Sequence, residues 1–383
     1  MRVCFASLSR IPDDPRIRRH AQALAEAGWD VCAVGLRGGR GPTPSFPVTE
    51  VDLPVEGRAK RLAQLGFNRL VPGRAQEVHW SSPLPRAVYA AVRAFTPDVV
   101  VANDWPVLPA CARAAESLDA KLVYDSHEYG VGEHVDRWKW RLLYPAYIHA
   151  LELDGIKTAS LVMTVSDGIS DLLAADLDLM RPPTVVRNMP AYQRSAFHAA
   201  HSPLEVLYQG VFAPDRGLEL LLAGAALWGS GATLVLRGLG PEAYVDTLRS
   251  AAAALPAGRV RFDPAADPRD LVVSASTSDV GIHPIPGVSA QTRLCLPNKF
   301  FEYAMAGLAL CVSDVPEMAR LLKQHDLGVL IPEATPQGIA STIASLDAEA
   351  VEHYKRQSLL AAQVLNWTHE SARVVAAFEP LRA

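Results

Sequence analysis

No excess of either charge marks this chain: 37 basic residues against 41 acidic ones give a net charge of −4 with histidine neutral. The strongly basic footprint of a nucleic-acid binder is absent. Long hydrophobic runs are absent too. The longest, such as "LVMTV" and "LALCV", are strand-sized and far short of the ~20 residues of a membrane span. The opening "MRVCFASLSR" has one arginine and no apolar core segment, so no secretion signal is expected. Cysteine is scarce: Cys4, Cys32, Cys111, Cys295 and Cys311 form no CxxC pair and lie mostly in apolar runs. Buried reduced thiols are expected and suit a cytoplasmic location, and zinc ligation has little support. Neither half leads from its first strand into GxGxxG, and no GxxxxGK[ST] occurs. A dinucleotide oxidoreductase and a P-loop kinase therefore lack their main signatures.

What is present is alternation. At 383 residues, 49% of them apolar, and roughly 150 residues per domain, two domains are expected. β-Branched runs ("RVCFASL", "WDVCAVGL", "DVVVAND", "KLVYDSHE", "SLVMTVSDG") alternate with helical stretches. Such runs predict a parallel sheet with both faces covered. The rhythm breaks at "VVRNMPAYQRSAFHAAHSP" and restarts at "LEVLYQGV". The fold class expected is α/β, two doubly wound Rossmann-like units: residues 1–187, a linker 188–203, and residues 204–365. A terminal helix, 366–383, is expected to pack back toward the first unit. In such sheets ligands bind at the carboxyl ends of the strands, at the switch point, so a cleft between the two units is expected. The loops just after strands are the places to search.

Three strand ends carry chemistry. In "LPNKFFEYAMAGLAL" a helix starts at Pro297–Asn298, with Asn298 read as its cap. Free N–H groups and the helix dipole there favour an anion. Lys299 adds a positive charge, and Glu302, on the same face, is placed to accept hydrogen bonds from ribose hydroxyls. The plain alternative is a surface Lys–Glu pair on a capped helix. In "YQGVFAPDRGLELL", Arg216 at a helix start can offer a forked donor to a diphosphate, or be a solvated arginine. In "YDSHEYG", Asp125, His127 and Glu128 can supply hydrogen bonds or proton transfer near neutral pH, or form a satisfied buried pair. Gly238, in the turn "RGLGP", lets backbone approach a ligand closely, or serves a simple turn. Asp13 and Asp14 of "PDDP" read as caps for a helix starting at Pro15 rather than as metal ligands.

Together these pieces resemble the retaining glycosyltransferases of family 4, which have the GT-B fold. "DPRIRRHAQALAEAGWDVCAV", "KLVYDSHEYG", "LVMTVSDGISDLL", "VVRNMP", "GVFAPDRGLELLLAGA" and "LPNKFFEYAMAG" occur in the family's order. The resemblance implies a nucleotide-diphosphate sugar of UDP or GDP type as co-substrate, with no other cofactor and no metal. It implies that Arg216 grips the diphosphate, that Glu302 is the second carboxylate of the E-x7-E element, and that His127 lies near donor sugar and acceptor. Arg16, Asp125 and Glu128 fall on the acceptor side. Transfer with retention by front-face attack is implied. Two departures stand out: Leu294 where the first carboxylate belongs, and Gly210 where a first basic residue belongs. Lys299 and Arg293 are the candidates to restore the charge, and Ser289, Gln291 and Asn298 to bind sugar hydroxyls.

The acceptor is expected to be a glycan, a lipid-linked molecule or a small molecule, held by the first unit. Seven basic residues (Arg58, Lys60, Arg61, Arg69, Arg74, Arg86, Arg93) interleave there with Leu62, Leu65, Phe67, Leu70, Val71 and Trp80. With "DRWKWRLLY", this composition suits either solvated helices or peripheral contact with anionic lipid at the inner face of the membrane. A sugar-nucleotide epimerase and a non-catalytic nucleotide-sugar binder remain the rival readings. Oligomeric state is not legible.

Overall fold

A computed structural model of the chain describes residues 1–53, 62, 64–66, 69, 73–135, 137–214 and 216–382. Two compact units emerge. The first comprises residues 1–187 with 289–291 and 370–383; the second comprises 188–288 and 292–369.

The first unit is built on seven parallel strands: β1 (Arg2–Ala6), β2 (Asp30–Leu36), β3 (Val48–Val51), β4 (Val99–Asn103), β5 (Lys121–Ser126), β6 (Ala159–Thr164) and β7 (Thr184–Val185). Their order is β3-β2-β1-β4-β5-β6-β7. The second has six: β8 (Leu204–Gln209), β9 (Ala232–Arg237), β10 (Val260–Asp263), β11 (Val280–His283), β12 (Ala309–Ser313) and β13 (Gly328–Ile331). Their order is β10-β9-β8-β11-β12-β13. Both are the doubly wound sheets that the sequence pattern predicts. Val99, Val100, Val101 and Ala102 of β4 are all 0% exposed. That double burial is why the central strands read as unbroken apolar runs instead of alternating.

Strand order reverses between β1 and β4 in the first unit and between β8 and β11 in the second. The connections diverge at these pairs and leave a crevice at their carboxyl ends. Local signals fix what flanks it. Asp14 caps the helix Pro15–Glu26, its carboxylate accepting from the N–H groups of Arg16 and Ile17. Asp13 does not share that role. It accepts instead from the N–H groups of Arg40 and Gly41, bracing the glycine-rich loop after β2. The helix Asn298–Ala306 buries Phe300, Phe301, Tyr303, Ala304, Met305 and Ala306, and stops at Gly307 with φ +74°, a left-handed cap that glycine adopts without strain. Asn298 is its first helical residue, not its cap; the cap is Pro297, which brings no side-chain acceptor.

Trp29 meets Phe378 edge to face at 6.0 Å, so the terminal helix Trp367–Phe378 covers the first unit with its last turn. Of the basic stretch, Arg58, Lys60, Arg61, Phe67, Leu70 and Val71 lie outside the described residues. Leu65 is buried beside Val78, Tyr147 and Leu151. Arg69, Arg74, Arg86 and Arg93 are exposed. Among the described residues no helix is long and apolar enough to cross a membrane.

Candidate active site

In the second unit, β8 ends at Gln209 and the chain turns at Gly210, φ +142°. A side chain at Gly210 would begin 3.4 Å from the Lys299 ammonium. Lys299 thus reaches, from the first turn of the helix Asn298–Ala306, into the space that a larger residue at 210 would claim. Its Nζ lies 3.8 Å from the centroid of the Tyr208 ring, a cation–π contact. Burial and then the Arg216 guanidinium pull the Lys299 pKa down to about 7, and Glu302 pulls the other way. Arg216 and Glu302 thus both act electrostatically on Lys299. Gly217 is the hinge of this arrangement: φ is +75°, and a Cβ there would stand 2.2 Å from the Pro284 carbonyl oxygen. No other residue fits. Arg216, exposed just before it, is held at the mouth of β11 as a result.

The remaining sequence candidates of this region divide. Gly238 is needed for packing, because a Cβ there would stand 1.8 Å from the Gly210 carbonyl oxygen. Its loop extends the β8–β9 pairing through Gly210 N–H to Arg237 O and Phe212 N–H to Leu239 O. Arg293 is exposed on the short helix Ala290–Leu294, and Asn298 is half-buried. Ser289 is 9% exposed. His283, which the sequence reading passes over, closes β11 at 2% exposure. Burial, and then the Lys299 and Arg216 cations, hold its pKa well below the ordinary value, so it is a neutral imidazole.

In the first unit, the carboxyl ends of β4 and β5 carry Asn103, Asp104, Asp125 and His127. His127 Nδ1 is 3.3 Å from Asp104. Its Nε2 is 3.3 Å from both Asp125 and the Asn103 side-chain oxygen. The His127 N–H donates to Asp104 Oδ1 at 2.8 Å. Burial disfavours the imidazolium, but Asp104 and Asp125 outweigh it and raise the pKa to about 9. His127 is therefore a cation at neutral pH, and its side chain keeps 17% exposure.

Arg16 and Asp125, expected on the acceptor side, are buried. They are 3% and 0% exposed and form a forked pair, Nε–Oδ2 3.0 Å and Nη2–Oδ1 2.6 Å. The third Arg16 donor goes to Val186 O at 2.7 Å. Burial pushes the Asp125 carboxyl up, yet Arg16 and then His127 hold it well below the carboxylate range. The pair is neutral as a whole and fixed in place, and its Asp125 carboxylate faces the His127 ring. Glu128 is exposed. Gln291, expected at the donor sugar, belongs to this unit instead: its Oε1 accepts from Tyr129 N–H at 2.7 Å and its Nε2 donates to Glu128 at 2.9 Å. Glu133 adds a carboxyl raised to about 8, by burial and then by Glu128 and Asp104.

Residues 14–189 match the family described as glycosyl transferase 4-like domain. Among solved structures, HepE of Anabaena in complex with UDP and glucose is similar over 99% of this chain and 100% of that chain, with TM-score 0.74 and 15% identity. Sucrose-phosphate synthase of Thermosynechococcus elongatus is similar over 100% and 99%, with TM-score 0.75 and 15% identity. A UDP-forming α,α-trehalose-phosphate synthase of Burkholderia xenovorans, solved with glucose-6-phosphate, covers 100% of both chains with TM-score 0.67 and 12% identity. At these identities the likeness establishes the fold, GT-B. No curated protein sequence matches the chain.

Proposed function

We propose that the protein is a glycosyltransferase that moves a sugar from a nucleoside-diphosphate sugar to an acceptor hydroxyl with retention, a reading supported by the match of residues 14–189 to a glycosyl transferase 4-like domain in a chain of GT-B fold. The observation that carries this reading is the grouping of Lys299, Arg216 and Glu302 at the carboxyl end of the second sheet. Lys299 and Arg216 hold the diphosphate, the first-turn amides of the helix Asn298–Ala306 add to them, and Glu302 accepts from the ribose. The neighbours solved with UDP and with UDP-glucose support a uridine donor.

In the chemical step the bond from the sugar C1 to the β-phosphate oxygen breaks and a bond from C1 to the acceptor oxygen forms on the same face. The acceptor proton passes to the departing phosphate. The two cations stabilise the charge that develops on the leaving group, the largest lever such a site has. No metal and no further cofactor enters this scheme. His127, a cation fixed over Asp125, serves the sugar and acceptor. We place the reaction in the cytoplasm, with peripheral contact to the inner face of the membrane through the helix Trp138–Leu143.

Thermal unfolding with UDP, GDP and ADP is the test. A ligand at 100 times its dissociation constant adds about 2.7 kcal/mol, so one nucleotide is expected to raise the midpoint clearly. Lys299→Ala and Arg216→Ala are each expected to erase most of that rise. No shift with any of the three at millimolar concentration overturns the reading. His127→Ala is expected to slow transfer at least a hundredfold while the nucleotide shift stays. Donor turnover that needs no acceptor points to an epimerase instead.

A further inference from the structure

At the carboxyl end of β11, the buried His283 has a ring nitrogen, Nδ1, with no hydrogen-bond partner. Buried polar atoms are nearly always paired, and an orphan asks what pairs with it. Its surroundings narrow the answer. Side chains alternate across a strand and repeat every four residues along a helix face. A Cβ at Gly281 would meet the Tyr303 ring at 2.3 Å, so that face of β11 is packed by the helix Asn298–Ala306. His283 is two residues further along the same face. Lys299 is one turn before Tyr303 on the same side of the helix. The imidazole therefore sits under the lysine's turn.

The second cation arrives by the chain itself. Gly217 is pressed against the carbonyl of Pro284, the residue after His283, which brings Arg216 to the same spot. Among the described residues, the other charged and titratable groups here are the Glu302 carboxylate, which acts on Lys299, the phenols of Tyr208 and Tyr303, and Arg237, which acts on Tyr303. Tyr303 Oη accepts from the Gln209 N–H at 2.8 Å and Tyr208 lies under the lysine. A third cation here would be repelled by the other two in the ligand-free protein. A neutral imidazole adds a donor without that repulsion.

We propose that His283 is a direct ligand of the donor's diphosphate, donating from Nδ1 to a phosphate oxygen and filling the role of the basic residue that the chain lacks at Gly210. The inference rests on the donor site proposed above and adds to it a residue that neither the sequence pattern nor the family likeness singles out.

The test compares UDP with uridine on the full chain by titration calorimetry. A hydrogen bond to a charged group contributes enough that its loss costs roughly tenfold or more in affinity. His283→Ala is expected to weaken UDP by about that factor and to leave uridine unchanged. His283→Asn, whose amide nitrogen occupies the place of Nδ1, is expected to recover most of the loss, whereas His283→Gln, which mimics Nε2, is not. Unchanged UDP affinity in His283→Ala overturns the inference, as does an equal loss for UDP and uridine, which marks mere structural damage. If the alanine variant does not fold, the Asn and Gln variants decide: a glutamine as good as the asparagine overturns it. Wild-type protein that binds no nucleoside diphosphate removes the donor site itself, and with it this ligand. Normal binding with an indifferent His283 removes this inference alone.

Discussion

Two ionisable side chains have pKa values displaced in opposite senses, each for a reason visible in its neighbours. Lys299, desolvated and facing Arg216, has a pKa of about 7, so half the ligand-free molecules carry it neutral at that pH. A diphosphate restores the charged form. Binding is therefore coupled to proton uptake, and because the bound state holds more protons, affinity falls as pH rises above 7. Calorimetric titration of UDP in buffers of different ionisation heat at pH 7.5 is expected to show uptake of a fraction of a proton, and Lys299→Met to abolish it; zero uptake in the wild type rejects the linkage. His127 has the opposite sign. Its folded pKa of about 9 stands above the ~6.5 of an unfolded histidine. The stabilisation it draws from Asp104 and Asp125 is complete below about pH 6.5 and is lost as pH climbs to 9. The thermal midpoint of His127→Gln is expected to lack that decline relative to wild type between pH 6.5 and 9, and parallel curves for the two proteins reject it.

At the scale of elements, the donor grip depends on a turn more than on any side chain. Gly217 combines a left-handed backbone with a 2.2 Å approach to the Pro284 carbonyl. Alanine there must both adopt φ +75° and displace β11's exit. Gly217→Ala is expected to cost at least the 1–3 kcal/mol of such backbone strain and to weaken nucleotide binding by moving Arg216. Equal midpoints and equal UDP affinity for variant and wild type contradict this. Such turns also mark how far the sequence is legible. The central strands announce themselves because burial on both faces demands continuous β-branched runs, and Asp14 announces its cap because Pro15 follows it. The edge strand β3 does not, since "VTEV" is short and keeps Glu50 exposed. Asn298 misleads because the fixed φ of Pro297 and its missing N–H let the proline itself stand as the last extended residue. Of the candidate site, His127 and Arg216 are legible from their positions in loops just after strands. Arg16, Gln291 and His283 are not, because their roles come from partners 109, 162 and 16 positions away respectively: Asp125, Tyr129 and Lys299. No local pattern encodes those distances.

At the scale of the whole molecule, a net charge of −4 conceals a face of the opposite sign. The helix Trp138–Leu143 buries no residue fully. Trp138 and Leu142, one turn apart, are 62% and 52% exposed, and Arg137, Lys139 and Arg141 are exposed around them. The helix is anchored from its other side, where Trp140 stacks on Tyr144 at 4.0 Å and Leu143 packs on the Tyr147 cluster. Two large apolar side chains held in water by a firmly seated helix, ringed by cations, match an interface with anionic headgroups and an apolar layer beneath. Each basic residue contributes about 1 kcal/mol near such a surface, and each apolar side chain up to about 1.5–3 kcal/mol if it is fully withdrawn from water. The full chain is expected to co-sediment with phosphatidylglycerol-containing vesicles and not with phosphatidylcholine alone. Trp138→Ala with Leu142→Ala should reduce that partitioning at least tenfold, and high salt should reduce it further by screening the cations. Equal sedimentation with both lipids, or an unaffected double variant, assigns this face to solvent and the acceptor to the aqueous phase.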